Sequence, residues 1–118
     1  MKIAIMGEIH KDGWEIFKDN NLESFEILNF EENNLKKELN EVDAILLRTA
    51  RLSNDLLSFC KKLKIVSRHG VGYDNINLEY LNQNNIALGI TSTSNAVSVA
   101  EHVLTSFLYL SKNIHLSD

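Results

Sequence analysis

The sequence contains no proline and a single cysteine, and the second scarcity excludes two kinds of structure. Cys60 cannot form an internal disulfide, and it lacks the spaced Cys or His partners of a metal site. It lies in LLSFCKKL, where apolar residues recur at helical spacing, so we expect a small, buried side chain and no metal. The lack of proline and the many asparagines indicate a bias in codon use and not a functional requirement for these residues.

Long apolar runs and an excess of positive charge are also absent. No stretch approaches the roughly 20 residues of a membrane span, and KIAIMG opens the chain without a basic and then apolar signal segment. The net charge of −4 argues against a surface that binds the phosphates of nucleic acid, because nucleic-acid binders cluster Lys and Arg. We therefore expect a cytoplasmic protein that binds neither membrane nor nucleic acid. The ordinary 44% apolar content also argues against disorder.

Glycine is scarce, but two of the five glycines flank Val71 in SRHGVGYDN. The dinucleotide-binding fingerprint requires a third glycine three positions after the second, where a helix packs on a strand. That position is Asn75, so the fingerprint fails. The pair predicts a tight turn in which backbone N–H groups can approach an anion.

Short β-branched runs alternate with segments of helical periodicity along the whole chain. This alternation predicts an α/β fold, a flavodoxin-like doubly wound sheet of five parallel strands. The strands are expected at 2–7, 25–30, 44–49, 64–70 and 86–90. Ser53 is expected to cap the helix NDLLSFCKKL, and a long apolar helix follows from Ser94 to Ile114.

Ligands of such sheets bind beyond the carboxyl ends of the strands. The third strand ends in Arg48 and Thr49, the fourth in the Gly-Val-Gly turn, and Asn95 follows the fifth. Arg48 offers a fork of donors for a carboxylate or phosphate, Thr49 a hydroxyl, and Asn95 an amide that could also cap the last helix. The three strand ends are therefore expected to share one rim that binds an anion.

Two groups of residues near this rim have simpler interpretations. Asp74 and Asn75 are expected to close the turn through a bond from side chain to backbone. His69 borders the turn and could face a ligand, whereas His10 and His115 are expected at the surface. None of the histidines has a carboxylate at a spacing that orients it as a general base.

Residues 43–114 closely resemble the D-isomer-specific 2-hydroxyacid dehydrogenases, which include D-3-phosphoglycerate dehydrogenase. The most specific segments are KLKIVSRHGVGYDNIN and SNAVSVAEH. The resemblance implies a flavodoxin-like substrate domain, residues 1–94, and a helix over 95–118 that crosses to an absent Rossmann domain. Expected partners are a small 2-hydroxy or 2-oxo acid and NAD, with NADP not excluded, and the full-length protein is expected to be a homodimer.

The resemblance also assigns roles to single residues. Val71 and Gly72 would hold the substrate carboxylate through their N–H groups, with Val71 also close to the nicotinamide. Arg48 and Thr49 match positions that hold the far end of the substrate, and Asn95 matches an asparagine beside it. The catalytic Arg, Glu and His of the family follow the point where this chain stops, so we expect no catalytic residue in it and no hydride transfer by it alone.

Departures from the family pattern leave the choice of hydroxy acid open. Ile90 and Ser92 stand where the family often has Asn and Pro, and Ala96 replaces a frequent Thr.

Two other functions remain alternatives. One is a non-catalytic relative that senses a ligand or NADH through protein contacts. The other is a signalling receiver domain, which would need an aspartate where Arg48 and Thr49 stand.

Overall fold

The sheet is parallel and five-stranded, as the sequence predicted. A computed structural model describes residues 1–116, and the prediction for His115 lies outside the described side chains. Five parallel strands pair in the order β2-β1-β3-β4-β5. The strands are β1 (Lys2–Met6), β2 (Glu23–Ile27), β3 (Ala44–Leu47), β4 (Ile65–Arg68) and β5 (Ala87–Ile90).

Helices connect the strands. They are α1 (Lys11–Asp19), α2 (Glu32–Leu39), α3 (Asn54–Phe59), α4 (Leu78–Gln83) and α5 (Ala96–Ser111), and a short 3-10 turn follows at Ile114–Leu116. Ser53 caps α3 as predicted, because its hydroxyl accepts the N–H of Leu56 at 3.2 Å. That helix ends at Phe59, four residues before the predicted end, since Cys60 leaves the helical conformation at ψ 71°.

Alternate residues of the central strands enter two separate apolar layers. Ala4, Met6 and Ile45 belong to the larger layer, which also contains the buried leucines of α2, α3 and α4. Ile3 and Ile5 belong to the smaller layer, which α1 covers. Because successive side chains of a strand point to opposite faces, β1 and β3 are covered on both sides, and apart from Lys2 at the start of β1 they are apolar.

Strand β2 begins two residues earlier and ends three residues earlier than predicted. It pairs with β1 from Lys2 opposite Glu23 to Met6 opposite Ile27. Gly7 then ends β1 at a φ of 104°. Leu28 and Phe30 consequently project from the sheet edge, with 58% and 45% of their surface exposed. Their apolar character suggested a longer strand, but they have no partner strand to pair with.

Helix α5 projects from the sheet. It has no buried residue, and its large apolar side chains are exposed from 43% for Tyr109 to 72% for Val97. The radius of gyration is 18.3 Å, against about 13.5 Å for a compact domain of this length. Among residues 1–116, no helix has both the length and the apolar content needed to cross a membrane.

Asp43 joins the amino ends of three strands. Its carboxylate accepts the backbone N–H of Lys2 at 2.9 Å and the ammonium of Lys64 at 3.2 Å. Its backbone N–H donates to Lys2 O, and its carbonyl accepts the N–H of Lys64. The hydrogen bond from Lys2, followed by that from Lys64, lowers the pKa of this carboxyl below its ordinary value of 3.8.

The stability of the protein should therefore depend on Asp43 in acid. A carboxyl whose pKa is lowered by folding stabilises the fold fully above its unfolded pKa and loses that contribution as the pH falls through the folded value. We expect Asp43→Asn to be less stable than the wild type at pH 6, with a difference that shrinks below about pH 4. Urea unfolding at several pH values measures this, with Asp19→Asn at the end of α1 as the control. A difference that is constant with pH would contradict the assignment.

Cys60 should be unreactive in the folded chain. It is 6% exposed, and burial raises the pKa of its thiol to about 11. The thiolate is the reactive form, so we expect an aromatic disulfide reagent at pH 8 to label Cys60 only after denaturation. Lys61→Cys places a second thiol at the neighbouring exposed position and should label at once. Labelling of native wild type as fast as that of the variant would show that the site is open.

Candidate functional site

A cavity of about 290 Å³, with four polar residues in its wall, lies at the carboxyl edge of the sheet. It is lined by Thr49, Arg68, Gly72, Asp74 and Asn75. These residues come from the ends of β3 and β4 and from the turn that follows β4. The cavity therefore lies at the edge where the sequence predicted an anion site.

Backbone hydrogen bonds hold the three strand ends together at this edge. The N–H of His69 donates to Leu47 O at 2.8 Å, which joins the end of β4 to that of β3. The N–H of Thr91 donates to Gly70 O at 3.2 Å, which joins the end of β5 to the glycine turn. The predicted common rim is therefore present in the structure.

Arg68 lies in this cavity, and sequence reasoning missed it. Its Nη1 donates to the carbonyl of His69 at 2.6 Å, while its Nε is shielded from solvent and has no hydrogen-bond partner among residues 1–116. Gly70 makes room for this arrangement, because a Cβ there would lie 2.8 Å from Nη1. The sequence did contain a signal for this residue, because Arg68 is a cation that ends a strand shortly before a glycine turn.

Arg48 and Thr49 diverge from the end of β3. Thr49 lines the cavity, but Arg48 turns towards the loop after β1. There its Cβ approaches Gly7, and its Nη1 donates to the carbonyl of Glu8 at a long 3.4 Å. Adjacent residues of an extended chain point to opposite sides, so the two side chains cannot share one wall without a rotation.

The turn after β4 presents unpaired backbone donors. Within residues 1–116, the N–H groups of Val71 and Gly72 make no hydrogen bond to the chain. Gly72 borders the cavity, and the side chain of Val71 is 39% exposed beside it. Unpaired N–H groups in an exposed turn are open to an anion, because no acceptor of the described chain competes for them.

Asn95 occupies the predicted position at the start of α5, but its side chain makes no capping bond. Its carbonyl accepts the N–H of Val99 at 2.9 Å. The side chain is exposed and is not part of the cavity wall. Its role beside the substrate stays a prediction.

The prediction that Asp74 and Asn75 close the turn by local side-chain bonds is wrong. The turn is closed by the backbone, where the N–H of Ile76 donates to Tyr73 O at 2.9 Å. Asn75 instead donates from Nδ2 to the carbonyl of Ala50 at 2.6 Å, 25 residues away. Asp74 leaves its carboxylate on the cavity wall. Spacing in the sequence could not reveal a bond to a different loop.

The histidines lie elsewhere. His69 and His10 line a second cavity of about 290 Å³ on the face of the sheet that α1 covers, beside Ile9, Phe17 and Leu46. His10 is at the surface as predicted, and its Nδ1 accepts the N–H of Asp12 at 3.4 Å at the start of α1. In the described part of the chain, no three His, Cys, Asp or Glu side chains are placed to hold a metal ion.

Comparison with known proteins gives consistent results. Residues 3–113 match the family model "D-isomer specific 2-hydroxyacid dehydrogenase, catalytic domain". The chain is 32% identical over 114 residues to D-3-phosphoglycerate dehydrogenase from Sus scrofa. The matched region covers 96% of this chain and 21% of the pig protein. The chain thus spans about a fifth of that relative.

Solved structures share the fold. The PH0520 protein from Pyrococcus horikoshii OT3 superposes with a TM-score of 0.86 at 25% identity, over 99% of this chain and 35% of that one. NAD-dependent formate dehydrogenase from Staphylococcus aureus, in complex with NAD, superposes with a TM-score of 0.83 at 26% identity, over 98% of this chain and 40% of that one.

The two glycines of the turn should respond differently to substitution. Gly70 has a φ of 152°, so Gly70→Ala should cost about 1–3 kcal/mol of stability and displace Arg68. At Gly72 a Cβ would meet only Asp74 Oδ2 at an ordinary 3.6 Å, so Gly72→Ala should change stability by less than about 0.5 kcal/mol. Urea unfolding of both variants tests this, and equal losses would contradict the geometry.

Proposed function

The chain belongs to the D-isomer specific 2-hydroxyacid dehydrogenase family, and on that premise we propose that it supplies the substrate-binding part of an NAD-dependent oxidoreductase. The reaction would interconvert a D-2-hydroxy acid and its 2-oxo acid, in the manner of a phosphoglycerate dehydrogenase. The 118 residues alone are expected to bind the acid and not to oxidise it. The relatives are dehydrogenases, so a ligand-sensing role is not favoured.

The observation that carries this proposal is the pair of unpaired N–H groups at Val71 and Gly72. Unpaired backbone donors bind a carboxylate well, since each gains a charge-assisted hydrogen bond. They lie in a turn whose two flanks are fixed, by Gly70 to β5 and by Asn75 to the loop after β3. A carboxylate bound there would leave its 2-carbon at the mouth of the cavity.

Cationic and hydroxyl groups around the cavity suit the far end of the substrate. Thr49 and Arg68 already border it. Arg48 is exposed, and its long bond to Glu8 is readily exchanged for a stronger one to an anion. Asp74 on the same wall opposes negative charge, both for the carboxylate at Gly72 and for the far group of the substrate, so the far group would lie on the side of Thr49.

The residues present fit NAD only in part. Val71 offers an exposed apolar side chain against which a nicotinamide ring can lie. The glycine turn lacks the third glycine of a dinucleotide loop, so the cofactor's phosphates would be held outside these residues. When bound, the nicotinamide accepts or gives the hydride. The contribution of this chain is to hold the carboxylate and orient the 2-carbon.

Helix α5, with Asn95 at its start, would connect this unit to the part that binds the cofactor. Its apolar side chains are exposed on most of its surface, which suits a helix that is buried by a second domain. We propose 1–94 as the substrate domain and 95–118 as the connection. A homodimeric, cytoplasmic full-length enzyme stays a prediction from the resemblance.

The proposal is tested by binding. The ¹⁵N-labelled chain is titrated with D-3-phosphoglycerate, and the amide signals are followed. We expect saturable shifts at Val71, Gly72 and Thr49, and much smaller shifts at Glu23, which begins β2 at the opposite edge of the sheet. Absence of saturable shifts at the first three positions would refute the substrate site.

Arg48 should affect the substrate rather than the cofactor. In the full-length protein, Arg48→Ala is expected to raise the KM for D-3-phosphoglycerate about tenfold, because a charge-assisted hydrogen bond is lost. The KM for NAD should stay within about twofold. Arg51→Ala, an exposed arginine outside the cavity, is the matched control. An unchanged substrate KM would remove Arg48 from the site.

A further inference from the structure

We propose that Asn75 is a positioning residue that fixes the distance between the two loops of the substrate cavity. One loop follows β3 and carries Thr49, and the other follows β4 and carries Val71 and Gly72. The inference rests on the proposed function. It concerns a residue of the cavity wall whose amide N–H is already bonded to Ala50, so its role would be exerted through the loops that hold the substrate.

Asn75 makes two bonds between these loops. Its Nδ2 donates to the carbonyl of Ala50 at 2.6 Å, and its own carbonyl accepts the N–H of Leu52 at 3.2 Å. The two chains run parallel at this point, with Leu52 bridged to Ile76. The loops are thus joined as two strands would be, at Leu52, two residues beyond Ala50. Thr49, the residue before Ala50, borders the cavity.

The joined segment is anchored in the core. Leu52 is 2% exposed and Ile76 is 6% exposed, and both belong to the larger apolar layer. Asn75 is therefore the first fixed residue after the exposed turn from Val71 to Asp74. Without its side-chain bond, the carbonyl of Ala50 would lose its partner and Thr49 would lose its nearest cross-loop support.

The chemistry of the bond explains why asparagine serves here. The acceptor is a carbonyl oxygen, so the side chain must donate, and a neutral amide does so without adding charge. An aspartate has the same shape but no N–H, and its charge would repel the carbonyl oxygen. Asn75 also forms part of the wall of an adjoining polar cavity of about 480 Å³, so this residue borders both cavities.

Hydrogen exchange of the Leu52 amide tests the connection directly. We expect exchange about tenfold faster in Asn75→Ala, the effect of one lost hydrogen bond, and at least as fast in the isosteric Asn75→Asp. Asn84→Ala removes an equivalent bond, from Nδ2 to Tyr80 O at 2.9 Å, away from the cavity and should leave Leu52 unchanged. Val66 in the core reports global unfolding. Unchanged exchange at Leu52 in both Asn75 variants would overturn the inference.

Titration with D-3-phosphoglycerate separates this inference from the proposed function. We expect the wild type and Asn84→Ala to bind alike, and the Asn75 variants to bind about tenfold more weakly. A wild type that binds while the Asn75 variants bind equally well would overturn the positioning role alone. A wild type that does not bind would refute the proposed function and with it the purpose of the connection, whatever the exchange rates show. Asn75→Asp serves if the alanine variant does not fold.

Discussion

The pairing of β3 with both β1 and β4 is the constraint on which the rest of this structure depends. Parallel pairing places the carboxyl ends of these strands at one edge, and the burial of β1 and β3 on both faces fixes their register. A shift of one residue would move Ile45 and Leu47 out of the larger apolar layer. The position of Thr49 opposite the glycine turn therefore follows from the packing of the β3 side chains that precede it.

The two edges of the sheet are built differently. At the amino edge, Asp43 satisfies donors from β1 and β4, so the charges there are paired within the chain. At the carboxyl edge, donors are left over: the N–H groups of Val71 and Gly72 and the Nε of Arg68 find no acceptor in the described residues. The fold thus places its unused hydrogen-bonding capacity at the edge where α/β sheets bind ligands.

The sequence was sufficient to predict five parallel strands and their approximate positions, because runs such as AILL are apolar enough for a strand buried on both faces. It also predicted the Ser53 cap, a local interaction. The ends of β2 and α3 were missed because they depend on partners, namely the length of β1 and the packing of Cys60. For the site, the rim could be predicted from strand ends. The bond from Asn75 to Ala50 could not, because it joins residues 25 apart.

The exposed helix α5 has a thermodynamic consequence for the chain. A helix of 16 residues is marginal by itself, and most helices are stabilised by the packing of one face. Since α5 buries no residue, its helix–coil equilibrium is not linked to the melting of the sheet. The 118 residues then contain a cooperative unit and a second segment that melts gradually. Dividing the unfolding enthalpy by the full chain length would therefore give too small an enthalpy per residue for the sheet.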